Sequence, residues 1–416
     1  MIKASLVEHI FKAASISRWN DYPKMVNLVE LDKQAHKFII AYFIAKFEDD
    51  VDINYIIEGG IYDFLARVMV TDIRPDVFHH IQKNKNEKIN EWVITKLENE
   101  LNGIEDGKFF ERFKNHLLKK DNHKKERLIL KAASYLATKW EFNIVYQTSQ
   151  FLSDIDELKS KVDEELEDYY ELIGVRKIAM NKKLARIVDL SGRLRFQKRW
   201  AQTPRIPETS VLGHMLVVAM LGYFYSLSVK ACDKRCEFNF FCALFHDLPE
   251  SLTRDIISPV KYGVDGLSEI INEYEMRLID DKIMPFVPEH IRDEFSYLLG
   301  IRKEKDKFFK DEFENRTYEK VPKFHEGSLS SVNEDKFRAI DGKALKYCDK
   351  LAAFFEAGIS ISYGVKSKEL TSGFSSIEEF FKEKPKVDGV DFYEICKDFK
   401  HQFEIKDPFP DGCGTH

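Results

Sequence analysis

A short stretch that begins at Phe245 places imidazole and carboxylate side chains close together. It reads FHDLPESLTRDIISPVK, with the adjacent pair His246-Asp247, then Glu250 one helical turn later and Asp255 beyond it. Imidazoles and carboxylates together suit Mn, Fe, Co, Ni or Zn better than Ca. The stretch therefore favours a divalent transition-metal site that other parts of the chain complete.

Two further segments offer ligands of the same kind. His214 lies in a long apolar segment, and Asp349 lies in the helical stretch ALKYCDKLAAFFEA. Adjacent helical residues point about 100° apart, so His246 and Asp247 can share a metal only where a helix ends, and Pro249 indicates such an end. Four protein ligands on a six-coordinate ion leave places for a water molecule and a substrate oxygen.

Nearby residues have types that suit phosphate chemistry. A bound metal activates water and polarises a phosphoryl oxygen. Glu250 is placed to orient that water or carry its proton, and Asp255 to bind a sugar hydroxyl or act as a second acid or base. Arg199 suits a phosphate, and Trp200 a sugar or base.

Each of these residues also has a structural interpretation. His214 alone fits a hydrogen-bonded core residue, and Glu250 and Asp255 alone fit a helix cap and a surface charge. Arg199 and Trp200 alone fit a cation–π pair. The ordered combination favours the metal site.

Composition narrows the class of protein. The chain has 416 residues, 44% of them hydrophobic and 32% charged, with a net charge of −6. These values are typical of a soluble protein with one or two domains, and they argue against a nucleic-acid-coating role. The N-terminus lacks the apolar core of a signal peptide, and the six cysteines lack zinc-like paired spacing. We expect a cytoplasmic protein with reduced thiols.

Helical periodicity dominates the chain, and strand signals are scarce. Apolar residues recur at three- and four-residue steps in residues 35–47, 91–101, 125–140 and 344–357. The uncharged residues 211–229 are long enough to span a membrane. Because this segment stands alone and carries His214, we expect a buried helix instead. The predicted fold class is all-α.

The same order of motifs occurs twice, which predicts an internal duplication. LVEHIFKAASISRW (residues 6–19) and IVDLSGRLRFQKRW (residues 187–200) both end in Arg-Trp, and each precedes an apolar helix with a histidine, His36 or His214. Asp72 then matches Asp255, and residues 130–141 match residues 345–356.

The first copy lacks most of the ligand set. Asp63-Phe64 replaces the His-Asp pair, Arg67 replaces Glu250, and Ser134 replaces Asp349. We therefore expect this copy to be metal-free and to serve in packing, dimerisation or ligand binding. The predicted organisation is residues 1–150 as the degenerate copy, 151–185 as a connecting helix, 186–405 as the metal-binding domain and 406–416 as a tail. The charged residues 302–338 are interpreted as a solvated loop or a lid.

The pattern His214, His246-Asp247 and Asp349 resembles the HD-domain metal-dependent phosphohydrolases. Within that superfamily the chain looks most like the bacterial 5′-deoxynucleotidases, on the following residues: Arg199-Trp200, His246, Asp247, Glu250, Asp255 and Pro259-Val260-Lys261. Together with the internal duplication, the resemblance implies tandem HD-domain-like helical bundles, although members of this family are usually single-domain. It also implies that Glu250 and Asp255 are catalytic and that Arg199, Trp200 and Lys261 contact the substrate.

These observations lead to one functional hypothesis and two alternatives. We expect metal-dependent hydrolysis of a phosphate monoester, with a (deoxy)nucleoside 5′-monophosphate as the small-molecule substrate and no membrane or nucleic-acid partner. The first alternative is hydrolysis of a dNTP, a cyclic dinucleotide or a guanosine polyphosphate. The second is a nucleotide-sensing regulator with a pocket formed by the following residues: Arg18, Trp19, His36 and Asp72. A homodimer is compatible with each of these functions.

Overall fold

The computed structural model describes residues 2–71, 73, 75–254, 266–304 and 307–405. Helices dominate this part of the chain, so the all-α prediction is confirmed. The helices are α1 (Ala4–Lys12), α2 (Glu30–Ala45), α3 (Ile53–Val70), α4 (Pro75–Leu101), α5 (Lys108–Leu118), α6 (Lys124–Ser149), α7 (Ile155–Glu164), α8 (Ile173–Ala179), α9 (Lys183–Arg193), α10 (Val211–Ser228), α11 (Asp233–Phe245), α12 (Glu250–Thr253), α13 (Leu267–Leu278), α14 (Arg292–Leu298), α15 (Gly342–Ser362), α16 (Lys368–Glu383) and α17 (Phe392–Gln402).

Helix α10 lies at the centre of the molecule and packs against α2, α11 and α15. Ser210 caps its N-terminus by accepting a hydrogen bond from the Gly213 amide. Gly222 lets α15 approach, because a Cβ there would lie 2.7 Å from Leu345 Cδ2. Among the described residues α10 is the one helix long and apolar enough to cross a membrane, but 89% of that window is buried in the protein. The expected core helix is confirmed.

Helix α2 packs against α6 on one side and α10 on another, and every one of its residues is buried. At the contact with α10, the Ser210 hydroxyl donates to Asp32 Oδ1 at 2.6 Å. A Cβ on Gly213 would lie 2.9 Å from the same oxygen, so glycine allows the two helices to approach.

The segment between the predicted copies is not one continuous helix. Helix α7 gives way to a 3₁₀ turn over Glu165–Tyr169, and α8 begins only at Ile173. Tyr169 is buried against Tyr135, and a Cβ on Gly174 would lie 2.6 Å from Ile44 Cα. The chain therefore bends back to pack on the first half of the molecule, and the prediction of a single connecting helix was wrong.

The charged segment 302–338 contains β-structure that the sequence analysis did not predict. Strands β1 (Ile301–Glu304) and β2 (Lys307–Lys310) form a hairpin, and β3 (Asn315–Tyr318) pairs with both β4 (Pro322–His325) and β5 (Ile340–Asp341), all antiparallel. A further small hairpin joins β6 (Lys386–Val387) to β7 (Val390–Asp391).

Arg316 anchors this β-structure and explains why its charged sequence folds. The side chain is buried and donates to the main-chain oxygens of Tyr297, Glu312 and Leu298. Carbonyl oxygens satisfy the donors of this buried guanidinium. A search for apolar periodicity does not detect a charged residue that is buried in this way.

Candidate functional site

Helix α11 ends at Phe245, and His246 and Asp247 occupy the turn that follows, as the sequence analysis expected for a shared ligand pair. His246 Nδ1 donates to the Ala243 main-chain oxygen at 2.6 Å, which leaves Nε2 with a lone pair. That Nε2 is buried and lies 3.1 Å from Asp247 Oδ2, without a well-oriented hydrogen bond to any described residue.

His214 is the fourth residue of α10 and is buried between two carboxylates of α15. Its Nδ1 lies 3.1 Å from Glu356 Oε1, and its Nε2 lies 2.9 Å from Asp349 Oδ1. Asp349 and Glu356 are seven residues apart, so two turns of α15 bring them to one helix face. A proton on Nδ1, donated to Glu356, leaves the Nε2 lone pair directed at the cluster.

These residues fit a divalent cation. Ligand atoms of His214, His246 and Asp247 all lie within 4.8 Å of one another, and Asp349 touches His214 at the same place. In both imidazoles the Nδ1 atom is engaged by an oxygen, so both Nε2 atoms are available to a metal. The buried Nε2 of His246 is the feature that a cation would satisfy.

The electrostatics keep the carboxylates ionised. Burial would raise the pKa of Asp247, but His246 beside it holds that pKa well below its usual range. Burial likewise opposes ionisation of Asp349, and its hydrogen bond with His214 lowers its pKa overall. For His246, burial lowers the pKa, but the Asp247 carboxylate outweighs this effect and raises it to about 9. The ionised carboxylates of Asp247 and Asp349 therefore favour a cation at this cluster.

Glu356 belongs to the candidate site and was not assigned from the sequence. Besides contacting His214, its carboxylate accepts hydrogen bonds from Trp200 Nε1 at 3.0 Å and from the Thr209 hydroxyl at 2.9 Å. Carboxylates in this position fix the tautomer and orientation of a metal-binding imidazole. The sequence contained one indication of this role, because both matched segments end in a glutamate, Glu141 and Glu356.

Two of the three predicted substrate-binding residues, Arg199 and Trp200, lie near this cluster. Arg199 is close enough for its charge to lower the pKa of Asp247 and Asp349. Trp200 is half-buried against Gly373 of α16, where a Cβ would lie 2.7 Å from the indole. Its observed hydrogen bond supports Glu356, and contact with a nucleotide stays a prediction.

Of the predicted catalytic carboxylates, the structure describes only one. Glu250 begins α12, directly after the turn that holds the His-Asp pair, and its amide donates to the Asp247 main-chain oxygen at 3.0 Å. Asp255 and Lys261, with Pro259 and Val260, lie outside the described residues.

The β-structure contributes two residues to the site that sequence reasoning missed. The Phe313 ring lies 5.9 Å from the His246 ring, between centroids. Lys310 ends β2, pairs with Glu312 at 3.0 Å, and is close enough to Asp247 for their charges to interact. The segment therefore reaches the predicted metal ligands instead of forming a remote loop.

The first half of the chain repeats several of these contacts. Trp19 and Trp200 both adopt a positive φ, 58° and 55°. Trp19 Nε1 donates to Glu141 at 3.1 Å, just as Trp200 Nε1 donates to Glu356. These parallels accord with the predicted duplication, which stays a prediction.

The parallel contacts correct one predicted correspondence. Lys33, and not His36, is the fourth residue of α2, the place that His214 holds in α10. Lys33 Nζ donates to the Ser134 hydroxyl at 2.6 Å, whereas His214 contacts Asp349. An ammonium and a hydroxyl in place of an imidazole and a carboxylate remove two metal ligands.

His36 lies one turn further along α2 and faces α9. Its Nε2 lies 2.9 Å from the Val188 main-chain oxygen, and its Nδ1 accepts a hydrogen bond from Arg195 at 3.1 Å. Burial, with Arg195 beside it, lowers the pKa of His36 to about 3, so the imidazole is a neutral core group. Asp72, the other predicted survivor, lies outside the described residues.

Comparison with known proteins finds a matching family model and several similar proteins. Residues 191–378 match the family model described as HD domain. A 5′-deoxynucleotidase of Enterobacter sp. (strain 638) is 32% identical over 118 residues, which cover 26% of this chain and 55% of that protein. The 5′-deoxynucleotidase YfbR of Escherichia coli is 31% identical over 114 residues, with the same coverage. The chain spans about half the length of the curated relatives it matches.

Among solved structures, an HD-domain phosphohydrolase from Listeria innocua is similar, with 19% identity and a TM-score of 0.35. The similarity covers 52% of this chain and 84% of that one. The span matched by the family model contains all four predicted ligands, His214, His246, Asp247 and Asp349. The resemblance to HD-domain proteins inferred from sequence is confirmed over residues 191–378, which match the HD-domain family model.

Proposed function

We propose that this chain is a metal-dependent phosphohydrolase whose substrate is a phosphate monoester. The observation that carries the proposal is the convergence of ligand atoms of His214, His246 and Asp247 within 4.8 Å, with the Nδ1 atom of each imidazole engaged by an oxygen. The divalent cation that such ligands bind supplies Lewis-acid activation of water and of a phosphoryl oxygen. Mn, Co, Ni, Fe and Zn all suit the ligand types.

The residues around the cluster have separate roles in this proposal. Glu356 and the Ala243 carbonyl oxygen hold the two imidazoles in the metal-binding tautomer. Arg199 binds the phosphate oxygens, because its guanidinium offers paired donors. Glu250, at the start of α12, carries the proton of the attacking water. Lys310 adds positive charge beside Asp247, where a phosphate approaches.

Two aromatic residues, Phe313 and Trp200, lie near the ligand cluster. Phe313 stands 5.9 Å from the His246 ring, and Trp200 lies against Gly373 of α16. The similar proteins named 5′-deoxynucleotidases, together with the Arg199-Trp200 pair, lead us to propose a (deoxy)nucleoside 5′-monophosphate. The products would be a nucleoside and orthophosphate.

The test is orthophosphate release from a panel of nucleoside 5′-monophosphates and 5′-triphosphates. The full chain is first stripped with a chelator and then assayed with Mn, Co, Ni, Zn and Mg added singly. We expect metal-dependent release from monophosphates. Release of triphosphate or pyrophosphate from nucleoside triphosphates alone would overturn the monophosphate assignment. Silence on every substrate, from protein shown to hold metal, would overturn phosphohydrolysis of nucleotides altogether.

A further inference from the structure

The first half of the chain encloses a cavity that the proposed hydrolysis does not use. Its volume is about 590 Å³, and it lies among α2, α3, α5, α6 and the 3₁₀ turn at Glu165–Tyr169. Small-molecule sites in proteins have volumes of about 300–1,000 Å³. The cavity is therefore large enough for a ligand the size of a nucleotide.

The lining of the cavity is predominantly positive. Its described residues include six basic side chains, namely Arg18, Lys33, Lys37, Arg67, Arg127 and Lys131. They include three carboxylates, Glu30, Asp63 and Glu165. Such an excess of positive charge in a concave, partly buried space attracts anions.

Two of the three carboxylates are already occupied by other partners. Glu30 accepts from Arg18 at 2.8 Å and from Gln34 at 2.6 Å. Asp63 lies 3.0 Å from both Lys37 Nζ and His116 Nε2. Salt bridges and hydrogen bonds of this length leave these carboxylates with little capacity to neutralise the remaining cations.

Three other cations contact neutral groups. The buried Lys33 donates to the Ser134 hydroxyl, and Arg127 donates to main-chain oxygens, including that of His116 at 2.9 Å. Lys131 lies 5.7 Å from the centre of the Tyr169 ring. The charge of Lys33 also interacts with the nearby Glu30 carboxylate, whereas dipoles and a ring face solvate the charges of Arg127 and Lys131. An anion in the cavity would stabilise all three cations.

Lys33 also sets the chemistry of this cavity apart from that of the HD domain. It holds the place in α2 that His214 holds in α10, and Ser134 precedes Glu141 by the same interval as Asp349 precedes Glu356. An ammonium offers donors but no lone pair, and although burial lowers the pKa of Lys33 to about 7, an anion beside it would favour the charged form. It therefore serves an anion directly, without a divalent cation.

One wall of the cavity is aromatic. Tyr135 and Tyr169 line it with their ring centroids 5.2 Å apart, and Leu130 and Ile73 add apolar surface. Flat apolar surface beside a cluster of cations suits a ligand that joins a planar ring to a phosphate.

We propose that this cavity is a second, metal-independent binding site for a nucleoside phosphate, which it holds without hydrolysing it. The phosphate lies against Lys33, Arg127 and Lys131, and the base lies towards Tyr135 and Tyr169. A site of this kind in the same chain as the HD domain gives the protein a means to respond to nucleotide levels.

The experiment isolates this cavity from the HD domain. Full-length Asp247→Asn protein, in a metal chelator, is titrated calorimetrically with dAMP, dGMP, dCMP, TMP, their triphosphates, inorganic phosphate and deoxyadenosine. We expect at least one nucleotide to bind, inorganic phosphate to bind more weakly, and the uncharged nucleoside not to bind. Because metal and turnover are removed, this result does not depend on whether the HD domain is a phosphohydrolase.

Charge-removing variants then locate the binding. In that background Lys33→Met and Lys131→Met are each expected to weaken nucleotide binding by about tenfold or more, because each removes a charge-assisted hydrogen bond. Lys96→Met, at an exposed lysine of α4 outside the cavity, is the matched control and should not change affinity. Thermal unfolding confirms that each variant is folded, and the exposed Lys131 gives a test even if Lys33→Met does not fold.

Three results would overturn parts of the proposal. The site would be rejected if no phosphate or nucleotide bound to the Asp247→Asn protein in chelator. It would also be rejected if binding were equally strong in Lys131→Met and Lys96→Met. Binding of inorganic phosphate as tightly as every nucleotide would retain an anion site but overturn the nucleotide assignment.

Discussion

Replacing Glu356 with glutamine tests how the HD domain prepares His214 for a metal. The carboxylate accepts from Trp200 on one oxygen and from Thr209 and His214 on the other. It is buried, and Arg205 and His214 more than offset the effect of burial and keep its pKa well below the usual range. Glutamine has the same shape but offers one accepting oxygen and one donating NH₂ group.

Either orientation of the glutamine has a cost. If the amide oxygen faces Trp200, the NH₂ group meets His214 Nδ1, which must then become the acceptor. The imidazole proton moves to Nε2 and removes the lone pair from the metal site. If the oxygen faces His214, the donor-only indole of Trp200 loses its partner, which costs about 1–3 kcal/mol.

This cost sets the expected size of the effect. Since about 1.4 kcal/mol corresponds to a tenfold change in an equilibrium constant, Glu356→Gln should weaken metal binding roughly 10–100-fold. The assay is calorimetric titration of chelator-treated protein with Mn or Co, checked by the metal content of the dialysed protein.

Glu141→Gln is the matched control for this experiment. Glu141 is equally buried and accepts from Trp19 at 3.1 Å, Arg18 at 2.7 Å and Arg195 at 2.8 Å, but no metal-binding histidine contacts it. We expect Glu141→Gln to leave metal affinity unchanged. Equal metal affinity in Glu356→Gln and the unmodified protein, or an equal loss in both variants, would refute the role assigned to Glu356.

Two further predictions concern stability. Burial raises the pKa of Asp32 to about 6, because the buried carboxyl group is more stable when it is neutral. The folded protein is therefore most stable below the ordinary carboxyl pKa, and it loses this stability as the pH rises through about 6. Relative to the unmodified protein, Asp32→Asn should therefore gain about 1–2 kcal/mol more at about pH 7 than at about pH 4.5 in urea unfolding, and an equal gain at both would contradict this. Arg235→Met removes the buried partner of Asp341, whose oxygens it contacts at 2.7 and 2.5 Å. Urea unfolding should show a loss of about 3–5 kcal/mol, and a loss below about 1 kcal/mol would mean that Asp341 has other adequate partners.

The helical fold was predictable because apolar residues recur at three- and four-residue steps in segments that form most of α2 and parts of α4, α6 and α15. Periodicity did not predict β1–β5, because their alternation is obscured by charged residues. Arg316 is buried there, yet carbonyl oxygens satisfy it, and a hydropathy pattern contains no information about such partners. The broken connection near Tyr169 was missed for a related reason, since tertiary contacts and not local spacing set the break.

The sequence also predicted one part of the candidate site and missed another. Residue types and order were sufficient to select His214, His246, Asp247 and Asp349, which the structure places in contact or within a few ångström. The first half of the chain was aligned on the identity of His36, whereas helix position makes Lys33 the counterpart of His214. Residues of two helices can be matched by their position only if the first residue of each helix is known, and sequence alone does not define that residue.

The most direct test of the central claim compares the unmodified chain with Asp247→Asn. Both proteins are stripped of metal, reloaded with the best-performing cation, and assayed for bound metal and for orthophosphate release from nucleoside 5′-monophosphates. We predict that the unmodified chain binds metal and releases orthophosphate, whereas Asp247→Asn loses both while keeping the thermal unfolding midpoint of the metal-free unmodified chain. Equal metal content and equal phosphate release in the two proteins would contradict the proposed active site.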